Sequence, residues 1–160
     1  MAKVSKIKPF LWFEHQAEEA AKFYTSIFKD SKMGKVARYP EGSPGPAGSV
    51  MTVEFQIEGQ DFIALNGGKQ DWQFNDAISF AVQCENQKEI DYYWDKLLAG
   101  GGKPVQCGWL KDKYGVSWQV VPAGMDEIFS GKDKAKAQRA MQAMLKMVKL
   151  DIGKLKEAAK

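Results

Sequence analysis

Few side chains in this sequence can do chemistry, and their spacing limits what that chemistry is. His15 is the only histidine. It stands between an apolar run and a helical pattern, so it reads as an exposed turn residue or as a general base near neutral pH. Cys84 and Cys107 are the two cysteines. Buried, they need no role beyond packing, whereas a nucleophilic thiol wants a cation or a helix N-terminus beside it. Lys111 and Lys113 lie near Cys107 in sequence. Glu54 alternates with Val53 and Phe55. On a central strand it faces either solvent or a cleft, and burial in a cleft would raise its pKa and make it a candidate acid or base. Phe10, Trp12, Trp109 and Trp118 could line a site for a flat or apolar molecule, with core packing as the alternative for each. Asn66, beside Gly67 and Gly68, could orient such a ligand or simply make a turn. No G-x-G-x-x-G or G-x-x-x-x-G-K-S/T phosphate loop is present.

Alternating elements must position these groups. Residues 7–13 (I-K-P-F-L-W-F) read as a buried strand. Residues 16–28 switch to helical spacing through Ala17, Ala20, Ala21, Tyr24, Ile27 and Phe28. A strand at 35–39, a Pro/Gly loop at 40–48, a strand at 49–58 and a returning strand at 62–65 follow. The order then restarts with a strand at 77–84 and a helix at 89–98 that Gly100, Gly101 and Gly102 stop. Strands at 105–110 and 116–121 flank a turn at Asp112–Gly115.

The restart is a repeat. Shifted by 70 residues, Glu19, Ala20, Phe23, Tyr24, Ile27 and Phe28 fall on Glu89, Ile90, Tyr93, Trp94, Leu97 and Leu98. Shifted by 56, Gly59 and Phe62 fall on Gly115 and Trp118. The expected fold is therefore α+β, two tandem βαβββ modules at about 5–68 and 75–123 within a domain 1–130. Residues 131–160 form a basic extension, with nine Lys/Arg against three Asp/Glu. Met141, Met144, Leu145, Val148, Ile152 and Leu155 mark one face of a helix there, to dock on its own chain or across a dimer.

Length, charge and composition exclude several classes. A chain of 160 residues with formal charge +3 and 44% hydrophobic residues builds a full core without staples. No apolar run reaches the ~18 residues of a membrane span, and no secretion signal is evident. Two cysteines without such a signal suggest a reducing cytoplasm. The basic extension lacks interleaved aromatics, so nucleic acid is not an expected partner.

Several stretches together carry a family resemblance. They are K-I-K-P-F-L-W-F at 6–13, E-E-A-A-K-F-Y at 18–24, G-S-V-M-T-V-E-F at 48–55, A-L-N-G-G at 64–68 and A-I-S-F-A-V at 77–82. Y-Y-W at 92–94, C-G-W-L-K-D-K-Y-G at 107–115, S-W-Q-V-V-P at 117–122 and A-Q-R-A-M-Q-A-M-L at 137–145 continue it. The chain resembles the PhnB-like proteins, labelled 3-demethylubiquinone-9 3-methyltransferase-like, of the vicinal oxygen chelate superfamily. That superfamily includes glyoxalase I, bleomycin-resistance proteins and extradiol dioxygenases. The resemblance implies paired modules that form a curved cleft, in catalytic members around a divalent metal. The metal-ligand positions carry over to Pro9, Ser79, Ile63 or Ala64, and Gln119. These are poor ligands for a transition metal, so no metal and no cofactor are expected. Gln119, with Glu54, remains a weak catalytic candidate, and Ser79 joins the ligand-binding candidates.

The expectation is a homodimer that binds a small organic molecule in an aromatic-lined cleft. A divalent-metal-dependent lyase or dioxygenase and a sequestering resistance protein are alternatives. Methyl transfer is a further one, although a βαβββ repeat leaves no room for the doubly wound sheet that most methyltransferases use.

Overall fold

The computed structural model describes residues 4–160. They form two compact units, one ending at Trp72 and the other beginning at Gln73. The first runs β1 (Phe10–Phe13), α1 (Ala17–Ile27), β2 (Ser31–Arg38), β3 (Val50–Ile57) and β4 (Gln60–Asn66). The second runs β5 (Ser79–Cys84), α2 (Gln87–Leu98), β6 (Lys103–Pro104), β7 (Trp109–Lys111) and β8 (Ser117–Pro122), then α3 (Met125–Ser130), α4 (Lys134–Met144) and α5 (Ile152–Ala158). The sheets have the orders β1-β4-β3-β2 and β5-β8-β7-β6. Each has one parallel pair, β1 with β4 and β5 with β8. The repeat in the sequence is thus a repeat of topology. No helix among the described residues is long and apolar enough to cross a membrane.

In the first unit α1 covers one sheet face. Ala17, Ala20, Ala21, Tyr24 and Ile27 are its buried side. They meet Leu11, Phe13, Val53, Phe55, Ile57, Phe62 and Ala64, the alternate strand positions. Tyr24, Phe55 and Phe62 stack in series at 6.0 and 5.3 Å between ring centroids. Each such burial is worth about 1.5–3 kcal/mol. The opposite sheet face carries Phe10, Trp12, Glu54 and Ile63.

In the second unit Asn86 caps α2 by accepting from Glu89 N, and Glu89 Oε2 accepts in return from Glu85 N. The glutamate thus reaches one residue beyond the N–H that a capping box uses, to Glu85 rather than to Asn86. The β7–β8 turn is built on Asp112, buried at 3% exposure. Its Oδ1 accepts from Tyr114 N and Val116 N.

Two expected elements differ. Of the strand expected at 105–110 only residues 109–110 are strand, in β7, and the two-residue β6 precedes it, because residues 105–108 make a turn with Trp109 N donating to Gln106 O. Pro104 and the left-handed Cys107 and Gly108 (φ 60° and 82°) break the run. The single helical face expected along 141–155 is also broken. α4 ends at Met144, and Asp151 N-caps a separate α5 by accepting from Lys154 N. Leu150 and Leu155 are buried, while Met141, Leu145 and Val148 are exposed.

The extension packs on its own unit. Gln87, at the start of α2, donates from Nε2 to Leu150 O and accepts at Oε1 from Ile152 N. Cys107 N and Gly108 N donate to Met147 O and Val148 O. Lys149 pairs with Asp91 at 2.7 Å. A Cβ at Gly108 would lie 2.8 Å from Val120 O and 3.0 Å from Leu150. Glycine there admits both the left-handed turn and the close approach of the tail.

Candidate functional site

On the first unit's open sheet face the register sets Phe10 beside Ile63 and Ile63 beside Glu54. The next row is Trp12, Leu65 and Thr52. Phe10 is 58% exposed. Trp12 is half-buried and held on three sides. Its Nε1 donates to Gly68 O at 3.0 Å. Its ring meets Trp72 edge to face at 5.3 Å. Gly67 backs the ring so closely that a Cβ would lie 2.1 Å from it. Trp72, itself 52% exposed, was not among the expected aromatics. It sits in the polar stretch D-W-Q-F, where no periodicity marks it.

Glu54 lies on this same face, since its neighbours Val53 and Phe55 point to α1. Its Cβ and backbone press against Gly34, where a Cβ would lie 2.9 Å away. It shares a shallow cavity of about 90 Å³ with Lys8, Lys32 and Asp61.

The second unit's open face is polar. Gln119 is flanked by Ala81 and Trp109, and Ser117 by Ser79 and Lys111. Gln119 Nε2 donates to Ser79 Oγ at 2.9 Å. Ser117 Oγ donates to Asp76 Oδ1 at 2.6 Å, and Lys111 Nζ lies 3.3 Å from the same oxygen. The Ser117 hydrogen bond, working against desolvation and with smaller help from Lys111, holds the Asp76 carboxyl below its ordinary range. Trp109 is half-buried beside Gln119.

Two expected ligand contacts are structural. Trp118 is 3% exposed. Its ring packs on Phe80 at 5.4 Å and its Nε1 donates to Asp112 Oδ2 at 2.9 Å. It lies on the α2 side of the sheet with Val120 and offers no surface to a ligand. Asn66 caps α1 from across the fold. Its Oδ1 accepts from Ala17 N at 2.8 Å, and its Nδ2 donates to Val50 O at 3.2 Å. Neither Gln16 nor any other neighbour supplies that cap, so the amide is committed. His15 is exposed. Burial, with a smaller push from Glu89, raises the Cys84 thiol to about 12, which makes it a packing residue.

A family model described as 3-demethylubiquinone-9 3-methyltransferase matches residues 5–121. The chain belongs to this family. A putative 3-demethylubiquinone-9 3-methyltransferase, a PhnB protein from Bacillus cereus, is 40% identical with a TM-score of 0.67. That match covers 74% of this chain and 100% of the other. A Pseudomonas aeruginosa protein is 19% identical, TM-score 0.59, over 74% of this chain and 98% of its own. A mutant of the fosfomycin resistance protein FosX from Listeria monocytogenes is 15% identical, TM-score 0.53, over 79% and 99%. It is complexed with Mn(II) and 1S,2S-dihydroxypropylphosphonic acid. The last two show likeness of fold alone. No curated protein matches the chain.

The family model ends at residue 121, so the stretch at 137–145 lies outside it. Within the family's span the donor chemistry does not fit the metal that the superfamily implies. The four carried-over positions hold a proline, an aliphatic side chain, a hydroxyl and an amide, and the last two are hydrogen-bonded to each other. Among the described residues no group of three His, Cys, Asp or Glu is placed to hold a metal ion. The family's methyltransferase description fares no better. β1 leads to α1 through Glu14-His15-Gln16, with no glycine-rich turn to receive a nucleotide cofactor.

Proposed function

We propose that this family member binds a small organic molecule through the open aromatic face of its first sheet, with no divalent metal in contact with the ligand. The observation that carries the reading is the outward presentation of Phe10 with Trp12 and Trp72 on a face that α1 leaves uncovered. Such aromatic area favours flat or apolar ligands, and glutamate at position 54 adds one charged group at its edge. A homodimer belongs to the same reading.

A native mass spectrum of gently purified protein tests it. The expected result is a dimer without stoichiometric divalent ion. A ligand found by screening should then lose about tenfold in affinity on Phe10→Ala, the equivalent of 1.4 kcal/mol. A stoichiometric divalent ion whose removal abolishes ligand binding would overturn the proposal in favour of a metal-dependent lyase or dioxygenase.

A further inference from the structure

A separate cavity of about 500 Å³ lies in the first unit, where the Pro/Gly loop folds back over the ends of β1 and β4. Its walls include Pro44, Pro46 and Tyr39 from the loop side, and Glu14, His15 and Glu18 from the β1–α1 connection and the start of α1. Gly67 and Gly68 also line it. A volume in this range holds a small organic molecule.

The walls are fixed without a ligand. Tyr39 N donates to Ser49 O at 2.9 Å and Gly48 N to Tyr39 O at 2.8 Å. Ser49 N donates to Pro46 O at 3.0 Å, and Arg38 Nη1 to Gly48 O at 3.0 Å. The Tyr39 hydroxyl donates to Asn66 O at 2.5 Å. Gly45 sits on the Tyr39 ring so closely that a Cβ would lie 2.4 Å from it. Three prolines, Pro40, Pro44 and Pro46, restrict the loop further. A cavity held open by its own hydrogen bonds costs a ligand little ordering.

The lining also selects a chemistry. It contains two carboxylates and neither lysine nor arginine. Lys22 Nζ holds the lining carboxylate Glu18 at Oε1, 2.7 Å, an exposed helical pair that a ligand's cation can displace at little cost, and Arg38 is engaged on Gly48 O. Pro44, Pro46 and the Tyr39 side chain add apolar surface to the same lining. Among the described residues no His, Cys, Asp or Glu trio is placed for a bare metal ion. We propose that this cavity is a second binding site, for a small organic cation: an amine or guanidine on a flat or apolar body. The cationic group sits between Glu14 and Glu18, and the body lies against Pro44, Pro46 and Tyr39.

Titration calorimetry of the full chain with benzylamine, and with benzyl alcohol as its uncharged match, tests this. Amide chemical shifts locate the ligand. Benzylamine should bind at least about tenfold more tightly than benzyl alcohol, as charge-assisted hydrogen bonds predict. The shifts should centre on Gly45, Ser49, Gly67 and Gly68. The double variant Glu14→Gln, Glu18→Gln, isosteric and at solvent-accessible positions, should erase the preference. A blocking variant, His15→Trp, should weaken both ligands. Equal binding of amine and alcohol, an undiminished preference in the double variant, or shifts centred on Phe10 and Ile63 would each overturn the proposal.

Discussion

The packing of Trp12 against Gly67 makes a quantitative prediction for Gly67→Ala. A new Cβ would lie 2.1 Å from Cε2 and Cζ2 of the indole. Ordinary carbon–carbon contact is about 3.5–4.0 Å, so the ring must move by roughly 1.4 Å or more. That displacement breaks the Trp12 Nε1 bond to Gly68 O, worth about 1 kcal/mol. It also disturbs the edge contact with Trp72, worth about 0.5–1.5 kcal/mol, and overpacking adds about 1–3 kcal/mol. Because the three overlap, the expected loss is about 2–4 kcal/mol. Gly67 is not in the left-handed region, so backbone strain contributes nothing. Urea unfolding followed by circular dichroism measures the loss. A double-mutant cycle assigns it: in a Trp12→Ala background the same substitution should cost close to nothing, giving a coupling of about 2–4 kcal/mol. An equal cost in both backgrounds, or a cost below about 0.5 kcal/mol alone, would refute the argument.

Three further predictions test other parts of the chain. Leu150→Ala should destabilise by about 2–5 kcal/mol in the same urea experiment, since Leu150 is fully buried and its cavity borders Gly108. A thiol reagent at pH 8 should label Cys107 in the folded protein, label Cys84 only after denaturation, and find Cys84 inert in a Cys107→Ser variant. The Asp76 carboxyl is lowered in the folded state, so its contribution is full above the unfolded value near 4 and fades as pH falls through the lowered one. Ser117→Ala removes the main cause, and the variant should lose less stability than the parent between about pH 5 and pH 3. Parallel pH–stability curves would contradict that assignment.

The repeat, both covering helices and the hairpin at Asp112 were legible because period and turn chemistry are local. Ala17, Tyr24 and Ile27 announce a helix face, and Val53, Glu54 and Phe55 announce a pleat. The misread parts depend on distant partners. Asn66 has the sequence of a turn, yet its amide caps a helix that begins 49 residues earlier. Trp118 and Trp12 look alike in sequence; which face of a strand each occupies follows from register. The run at 105–110 has enough hydrophobicity for one strand, but left-handed Cys107 and Gly108 receive the tail instead. The extension's stripe fitted one helix on paper. Asp151 starts a new helix, and only Leu150 and Leu155 of that stretch go fully inside. The loop cavity was invisible because Pro and Gly spacing marks a loop without saying where it folds.

The seating of Leu150 and Leu155 also sets the order in which the two units can mature during synthesis. Every residue of the first unit has been made once the ribosome passes Trp72. N-terminal parts of a chain commonly fold as they emerge, so that unit can complete its core early. The second unit closes part of its core with Leu150 and Leu155, made well after its sheet. Until those residues emerge, its α2 edge and the Gly108 turn stand uncovered. A frameshift or premature stop between Pro122 and Leu150 would therefore leave one finished unit joined to an unfinished one, a state with exposed apolar surface that quality-control proteases would recognise.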